Sequence, residues 1–551
     1  MRRRLPSLAP LLAVAAACSR APSADLVAYG RVWTGDPAAP WAQAVASRGD
    51  TIVAVGDSVT VAPLVGEATR VLRGAMVVPG FMDGHVHFLD AGHQLASVDL
   101  RDAATPEEFV GRLKAFAAER QPGEWILGGK WDHERWPGGP LPRREWIDSV
   151  TPNNPVFVER LDGHMGLANS AALKAAGITR GSAEIPGGTI VRDPRTGEPT
   201  GVLKDEAMGP VYRVVPPASA GQDDAALARA MRHANARGVT AVASVSSPWS
   251  ELAAFRRARA AGTQTVRVAL YPSLALWREV ADSVAAAGPG DDWIRLAGVK
   301  GYVDGSLGSG TALFDEPYAD DRATSGLLVT PEDSLRRWTG AADSAGLQVI
   351  VHAIGERANR VMLGIFDSVA RAHGPRDRRF RIEHAQHLQP ADVPRFAAIG
   401  VLASMQPFHA ADDGRWAHKR LGPVRIRNSY VFRSLLDAKA RVAFGSDWPV
   451  APIDPLWGIW AAVSRRTLDD RHPEGWIPEQ KITVEEALAA YTGANAWGVF
   501  AEARRGTLAT GRVADFVVLD RDLTRVEAEQ IRTATVLATV AGGRVVHEAA
   551  R

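Results

Sequence analysis

The chain has 551 residues, of which 46% are hydrophobic and 23% are charged. This apolar share is near the globular average, so the chain can bury a large core and is neither disordered nor fibrous. The net charge of +2 gives no overall field that would favour nucleic acid. A single cysteine excludes an intrachain disulfide and a thiolate-cluster zinc site, so a metal here would be bound by His, Asp, Glu or Lys.

The amino terminus predicts an export signal over residues 1–17. Arg2–Arg4 precede the uncharged stretch Leu5–Ala17, which is typical of such a signal and too short to span a bilayer as a helix. Small residues stand directly before Cys18, so the segment resembles a bacterial lipoprotein cleavage site with an acylated Cys18. The alternatives are an ordinary signal cleaved before Cys18 and a start codon placed too early. We expect an exported protein on the periplasmic side of a bacterial envelope, with residues 18–24 as a tether and a lipid on Cys18 as its membrane contact.

Both ends of the remaining chain have the pattern of short β-strands. Residues 25–75 contain brief β-rich runs separated by turns, and residues 506–551 repeat this pattern between glycines. Neither end carries enough strands for an independent core. We therefore expect the two ends to pair into one small β-sandwich.

Between these ends, apolar strands alternate with amphipathic helices, which predicts parallel strands joined by crossover helices. The strands are expected to end near Val78, Val245, Tyr271, Val303, Val351, Glu383, Met405 and Phe444. Eight such units predict an α/β fold, a (β/α)8 TIM-like barrel, with its active site at the C-terminal ends of the strands. The first barrel strand falls in residues 76–95 and the other units in residues 223–505. The long interval of residues 96–222 is expected to be an insertion domain.

Side chains that bind metals directly follow several of these apolar strands. His85 and His87 follow the first, and both can reach one ion because residues two apart on an extended chain point to the same face. For this pair alone, two surface imidazoles are the better interpretation. Four further strands end in comparable residues, namely Lys300, His352, His384 and Asp447. All six would share one mouth of the barrel, which predicts a metal site there.

The motifs around these residues resemble those of the amidohydrolase superfamily, in particular the subgroup that includes N-substituted formamide deformylase. The resemblance extends from about residue 25 to the end of the chain. Its matching segments are Pro79–His87, Val299–Lys300, Asp304–Ser309, Val351–Gly355, Ile382–Gln386 and Gly445–Pro449. Jointly these motifs are specific for the family, but they are not specific for a substrate.

The resemblance implies one or two bound divalent ions, with zinc as the expected metal. One ion would be bound by His85, His87 and Asp447, and another by His352 and His384. Between them the resemblance implies a bridge from Lys300.

That bridge would be a carbamate formed from Lys300 and carbon dioxide. A bare ammonium beside two dications would be repelled, whereas the carboxylated form supplies two anionic oxygens. An unmodified Lys300 would instead favour a single metal ion. The sequence leaves both arrangements open.

Four residues outside the ligand set are expected to contact substrate. His164 lies in the insertion, in a segment that resembles a family motif, with a loop-stabilising role as the alternative. Asp304 and Ser306 stand among glycines that would let backbone N–H groups approach a ligand. His409, with Trp416 nearby, predicts an aromatic pocket wall, although such residues more often pack within a loop.

Together these features predict a hydrolase that cuts a non-peptide C–N bond of a small molecule, an amide or an N-acyl or N-formyl amine, with a metal-activated water. Asp447 is the expected proton acceptor, and a passive metal ligand is the alternative role. Many relatives have Arg where this chain has Gly310, so a preference for acidic substrates is not carried over. The alternative functions are a lactone or ester hydrolase on the same scaffold and a lipoprotein that binds a small ligand without turnover. The presence of all six expected ligands disfavours the binder. Whether the chain acts alone or as a homodimer stays open.

Overall fold

The computed structural model describes residues 23–550. The predicted export signal and the acylation site at Cys18 lie outside these residues. Four sheets and their connecting helices make up the described chain. Within residues 23–550, no helix is both long and apolar enough to cross a membrane.

Seven strands from the two ends of the chain form one sheet. In sheet order they are Arg544–Glu548, Val536–Ala541, Phe516–Leu519, Arg70–Pro79, Leu26–Trp33, Trp41–Arg48 and Thr51–Gly56. Only the pair of Leu26–Trp33 with Arg70–Pro79 is parallel in this sheet. One apolar core includes Val45 and Val540, which lie on strands far apart in the sheet order, so the sheet curls around that core. The predicted pairing of the two ends is thus present, as one curled sheet.

A second sheet of six strands lies in the interval predicted to be an insertion. Its order is Gly188–Arg192, Pro199–Asp205, Met165–Ala168, Val156–Arg160, Ile126–Trp131 and Val98–Asp99. Its helices are Pro106–Ala117, Arg144–Asp148, Ser170–Ala175 and Gly209–Tyr212. Phe109, Trp131 and Leu167 belong to an apolar cluster of this segment. A distinct domain has a hydrophobic core of its own, and this cluster is such a core. The boundaries of the domain stay predictions.

The remaining strands are parallel and form two sheets. One contains Phe81–Val86, Val239–Val245, Arg267–Tyr271 and Ile294–Leu296, and the other contains Gly298–Tyr302, Gln348–Ala353, Arg381–His384, Leu402–Met405 and Val442–Phe444. Isolated parallel bridges join the sheets at both edges, from Val86 to Trp448 and from Ser273 to Lys300. The nine segments therefore make a TIM-barrel-like α/β arrangement, in which Ile294–Leu296 and Gly298–Tyr302 follow each other as one interrupted strand. Counted this way, eight strands surround the interior.

Helices follow these strands and cover them from outside. They include Phe88–Gln94, Ala220–Asn235, Trp249–Ala260, Trp277–Ala287, Glu332–Ser344, Glu356–His373, Val393–Ile399, Pro407–Asp413, Ala417–Arg425, Phe432–Asp437, Pro455–Ser464, Val484–Ala490 and Gly493–Gly498. Ala220–Asn235 begins at a capping box between Ser219 and Gln222, which satisfies the free N–H groups of its first turn. Glu356–His373 buries Met362, Phe366 and Val369 at helical spacing, so one face packs on the strands.

The predicted strand ends lie within two residues of the observed ones, with one exception. The apolar run that ends near Val78 belongs to the curled terminal sheet, and the first barrel strand is Phe81–Val86. The chain passes from one sheet to the other at Gly80, where a Cβ atom would lie 2.3 Å from the hydroxyl oxygen of Thr240. This close approach lets two strands follow each other with no loop between them.

Candidate metal centre

Three buried side chains form a group that could hold a metal ion: His85, His384 and Asp447. One ligand atom of each lies within 4.8 Å of the others. They follow the first, sixth and eighth barrel strands, and they meet because the C-terminal ends of parallel strands share one mouth.

Two atoms of this group are left without hydrogen bonds. Nε2 of His85 and Oδ1 of Asp447 are buried and form no hydrogen bond with the described residues. They lie 3.3 Å apart, and Nε2 of His87 lies 3.4 Å from the same carboxylate oxygen. Buried polar atoms without partners are costly and are rare in native proteins. Imidazole and carboxylate ligands suit zinc and similar divalent ions, so the donor set fits such a cation.

Glu383 determines how His85 faces the centre. Its Oε2 lies 2.5 Å from Nδ1 of His85, and its Oε1 accepts a hydrogen bond of 2.8 Å from Nε of Arg381. Burial by itself would raise the pKa of Glu383, but Arg381 and His85 outweigh it and hold the pKa at about 2. With Nδ1 engaged in this way, Nε2 of His85 is the atom left for a metal. Such carboxylate–histidine pairs orient metal ligands.

Gln406 has the same relation to His384. Its Oε1 lies 2.9 Å from Nδ1 of His384, which leaves Nε2 of that ring for a ligand. Burial and the neighbouring His352 hold the pKa of His384 well below its usual range, so the ring is neutral, the form that binds metals. His384 and Asp447 have φ angles of 73° and 61°. Non-glycine residues rarely adopt this left-handed region, and such strain is concentrated at functional sites.

His352 and Lys300 lie beside this group. The ring centres of His352 and His384 are 4.5 Å apart, but Nε2 of His352 lies 3.1 Å from the carbonyl oxygen of Gly305. Lys300 is buried, with its ammonium 4.5 Å from the centre of the Tyr302 ring. Burial lowers the pKa of Lys300 to about 8. The predicted ligands therefore share one region, but the conformation assembles three of them within mutual ligand distance.

Asp304, predicted to contact substrate, is held by backbone donors of two loops. Its side chain is fully buried, and its oxygens accept hydrogen bonds from the backbone N–H groups of Leu313, Ile354 and Gly355, at 2.8, 3.0 and 2.9 Å. These bonds tie the loop after the fourth barrel strand to the turn after the fifth. A carboxylate used in this way by three backbone donors stabilises these loops, and its Oδ1 also lies 3.5 Å from Nε2 of His352. Its contact with substrate stays a prediction.

A cavity is lined by His384 and Asp447, and His164, Ser306 and His409 are also among the residues that line it. Nδ1 of His164 is 2.6 Å from Oδ1 of Asp205. Nε2 of His409 is buried and has no hydrogen bond within the described chain. The three residues thus lie on the cavity wall, and their contacts with substrate stay predictions.

Several residues of the site were missed by the sequence analysis. Glu383 and Gln406 hold two metal-ligand rings, and Arg160 and Asp413 line the cavity. For Glu383 a signal was available, because a carboxylate at the end of a buried strand needs a partner close by. For the others local sequence gave no assignment, since Arg160 ends a strand of the inserted segment and Asp413 ends a helix, and the approach of both to the site depends on the fold.

Comparison with known proteins points to one family. Residues 71–547 match the amidohydrolase family. The chain is 41% identical over 533 residues to Protein LONG AFTER FAR-RED 3 of Arabidopsis thaliana, across 94% of this chain and 91% of that protein. It is 31% identical over 489 residues to the putative amidohydrolase YtcJ of Bacillus subtilis, across 87% and 90% of the two chains.

Two further similarities extend over almost the whole chain. N-substituted formamide deformylase of Arthrobacter pascens is 29% identical over 556 residues, across 95% of this chain and 98% of that enzyme. A crystal structure of an uncharacterized metal-dependent hydrolase from Pyrococcus horikoshii superimposes with a TM-score of 0.73 at 28% identity, across 92% of this chain and 99% of the other.

The contact between Glu383 and His85 predicts an effect on metal affinity. We expect Glu383→Gln to weaken zinc binding by about 10- to 100-fold, because an amide orients the imidazole less firmly than a carboxylate does. The measurement is titration of the metal-free protein with zinc against a competing chelator.

Glu251→Gln is the matched control. Glu251 is also buried, and burial raises its pKa to about 8, so it is protonated at neutral pH and glutamine imitates it. This variant is expected to bind zinc as the unaltered protein does. A folded Glu383→Gln protein with unchanged zinc affinity would contradict the assigned role of Glu383.

Proposed function

The chain belongs to the amidohydrolase family, and within it we propose a metal-dependent hydrolase that cuts a non-peptide C–N bond in a small molecule. The bond is that of an amide or of an N-acyl or N-formyl amine. The observation that carries this proposal is the buried group of His85, His384 and Asp447, with two unpaired ligand atoms next to a cavity. The similarity to N-substituted formamide deformylase along nearly the full chain supports the bond type.

The divalent ion of the proposed site would be held by His85, His384 and Asp447, with His87 beside them. When bound, such an ion acidifies water and polarises a carbonyl oxygen, which lowers the barrier to hydrolysis. Glu383 and Gln406 keep the two imidazoles turned toward the ion. The residues at the strand ends would therefore bind the ion, and the buried Glu383 and Gln406 orient them.

Asp447 is proposed as the proton carrier of the reaction. Its side chain lines the cavity, and its Oδ1 has no hydrogen bond within the described structure. We infer that the carboxylate takes a proton from the attacking water and returns it to the leaving nitrogen as the C–N bond breaks and the C–O bond forms. His409 and His164 line the same cavity and are proposed to orient the substrate carbonyl.

The activity itself is tested with a small set of carbonyl substrates. We expect purified protein loaded with zinc to hydrolyse N-formyl or N-acyl amines, and a chelator to abolish turnover that added zinc restores. Release of amine and of acid is measured for each substrate. Turnover that survives complete chelation would contradict metal dependence.

A panel of lactones and simple esters is run beside the amides. Faster turnover of a lactone than of every amide would replace the amidohydrolase proposal by the ester hydrolase alternative. No turnover of any carbonyl substrate by metal-loaded protein would favour the ligand-binding alternative.

The proton-carrier role of Asp447 predicts a specific effect of substitution. We expect Asp447→Asn to lower kcat by about 100- to 10,000-fold, the range attributed to a general base, while metal content falls much less. Metal content is measured by elemental analysis of the same sample used for kinetics. Glu251→Gln, outside the site, serves as the control for handling and folding. Equal losses of metal and activity would reduce Asp447 to a ligand.

Lys300 is proposed to carry a carboxyl group and to join a second ion with His352. The ammonium is buried near His85 and Asp447. A positively charged ammonium beside a bound metal ion is unfavourable unless negative charge compensates both. We expect a carbamate signal in the carbon-13 NMR spectrum of protein supplied with labelled bicarbonate, and its loss in Lys300→Ala. Full activity of a protein without this signal would reject the bridge.

We also propose that the protein is exported and anchored to a bacterial envelope by a lipid on Cys18. The support is the composition of residues 1–24, with its basic start, apolar stretch and small residues before the cysteine. Labelling of cells with a radioactive fatty acid reports on Cys18 directly. A mature protein that lacks Cys18 would exclude the anchor.

A further inference from the structure

The cavity beside the proposed metal site has an acidic wall. Its lining includes one arginine, Arg160, and five aspartates, which are Asp132, Asp162, Asp412, Asp413 and Asp447. Asp447 belongs to the metal group. The remaining four aspartates lie on the part of the cavity wall that would surround the portion of a substrate away from the bond that is cut.

Three of these four carboxylates are paired with arginines. Arg160 is fully buried and donates hydrogen bonds to Asp132 at 3.1 Å and to Asp162 at 2.6 Å. Arg415 donates to Asp412 and, at 3.4 Å, to Asp132. These two guanidinium groups are thus engaged by carboxylates other than Asp413.

Asp413 has only neutral partners. Its Oδ2 accepts hydrogen bonds from Nε2 of Gln386 at 2.8 Å and from the hydroxyl of Tyr430 at 2.5 Å. Among the described residues, no hydrogen bond reaches its Oδ1. Burial, together with the neighbouring Asp412, raises the pKa of Asp413 to about 7, and the charges of Arg160 and Arg415, which donate no hydrogen bond to it, do not offset this rise.

The same cavity has a second carboxylate oxygen without a hydrogen bond, Oδ1 of Asp447, which lies 3.3 Å from Nε2 of His85 and 3.4 Å from Nε2 of His87. Asp413 and Asp447 line this one cavity, so a small molecule bound there would face both carboxylates. A substrate with its carbonyl beside Asp447 extends its other part along the wall that contains Asp413.

We propose that Asp413 binds a positively charged amino group of the substrate, at a distance from the bond that is cut. The inference rests on the proposed hydrolase function and names its substrate class: an amide or N-acyl amine that also carries an ammonium group. Gln386 and Tyr430 position the carboxylate by holding one of its oxygens, which leaves the other for the substrate.

The physical reason is the balance of charge in a partly desolvated wall. A carboxylate that is removed from water and receives only neutral hydrogen bonds is less stable than one paired with a cation. An ammonium group supplies that missing charge through a charge-assisted hydrogen bond, which is stronger than a neutral one. An anionic group at the same place would be repelled by Asp413 and by its neighbour Asp412.

The test uses zinc-loaded full-length protein and pairs of probes that differ only in charge. One pair is monoacetylated propanediamine and its neutral isostere N-butylacetamide, and the second places the ammonium on the acyl side, as an aminobutanoyl methylamide against a pentanoyl methylamide. In at least one pair, we expect kcat/KM to be about 10- to 100-fold higher for the cationic probe. An equal or lower value for the cationic probe in both pairs would overturn the proposal.

Substitution assigns the preference to one residue. In Asp413→Asn, the ratio of kcat/KM between the cationic and neutral probes is expected to fall to within about threefold of unity. Asp315→Asn is the control, because it removes a carboxylate that is paired with Arg360 outside the residues that line the cavity, and it should keep the ratio. A ratio that survives Asp413→Asn would overturn the proposal. Asp413→Ser replaces the asparagine variant if the latter does not fold.

A binding measurement separates this proposal from the proposed activity. Calorimetry compares the same probes on the unaltered protein and on Asp413→Asn. If neither these probes nor the wider panel of carbonyl substrates is hydrolysed, the hydrolase proposal fails, and tighter binding of the cationic probe to the unaltered protein alone still supports the role of Asp413. Equal affinities for both probes would reject that role independently of turnover.

Discussion

The contact between the first and eighth barrel strands is the constraint on which the site depends. The N–H of Asp447 donates to the carbonyl oxygen of His85 at 2.7 Å, and the N–H of His87 donates to that of Trp448 at 2.8 Å. These bonds bring together residues more than three hundred positions apart in the chain. A Cβ atom at Gly445 would lie 2.6 Å from the backbone nitrogen of His85, so only glycine permits the approach. The meeting of imidazoles and carboxylate at one mouth is therefore a consequence of how the two strands join.

The buried polar groups around this junction account for both its rigidity and its chemistry. Glu383 is held between Arg381 and His85, and all three side chains are almost fully removed from water. A buried polar network is stable only when every polar atom has a partner. Within the described structure, two atoms that face the centre have no hydrogen bond. A bound divalent cation would satisfy these atoms and offset the cost of burying them. The same arrangement that would be costly when empty is thus suited to hold an ion.

The residues that would select a substrate have a different origin from those that would hold the ion. The ligands follow barrel strands, whereas Arg160 and His164 come from the inserted segment, and Asp413 ends a helix after the seventh strand. Loops on a rigid scaffold tolerate change more readily than strand ends that meet inside a barrel. Relatives can therefore share the metal group and differ in the wall of the cavity, so family membership by itself does not name the substrate.

The sequence by itself determined the parallel strands, their approximate ends and the kinds of ligand that follow them, because the alternation of apolar strands with amphipathic helices is a local property. It predicted that six side chains share one mouth, since side chains at equivalent strand ends of a barrel lie together, but it placed His384 on a different ion from His85 and Asp447. Only the tertiary structure decided which polar atoms pair within that mouth. Asp304 faces three backbone N–H groups, while Asp413 has no cationic partner, and nothing in their local sequence distinguishes these two aspartates. Hydrogen-bond partners depend on how distant loops come together in space, which the order of residues along one segment does not contain.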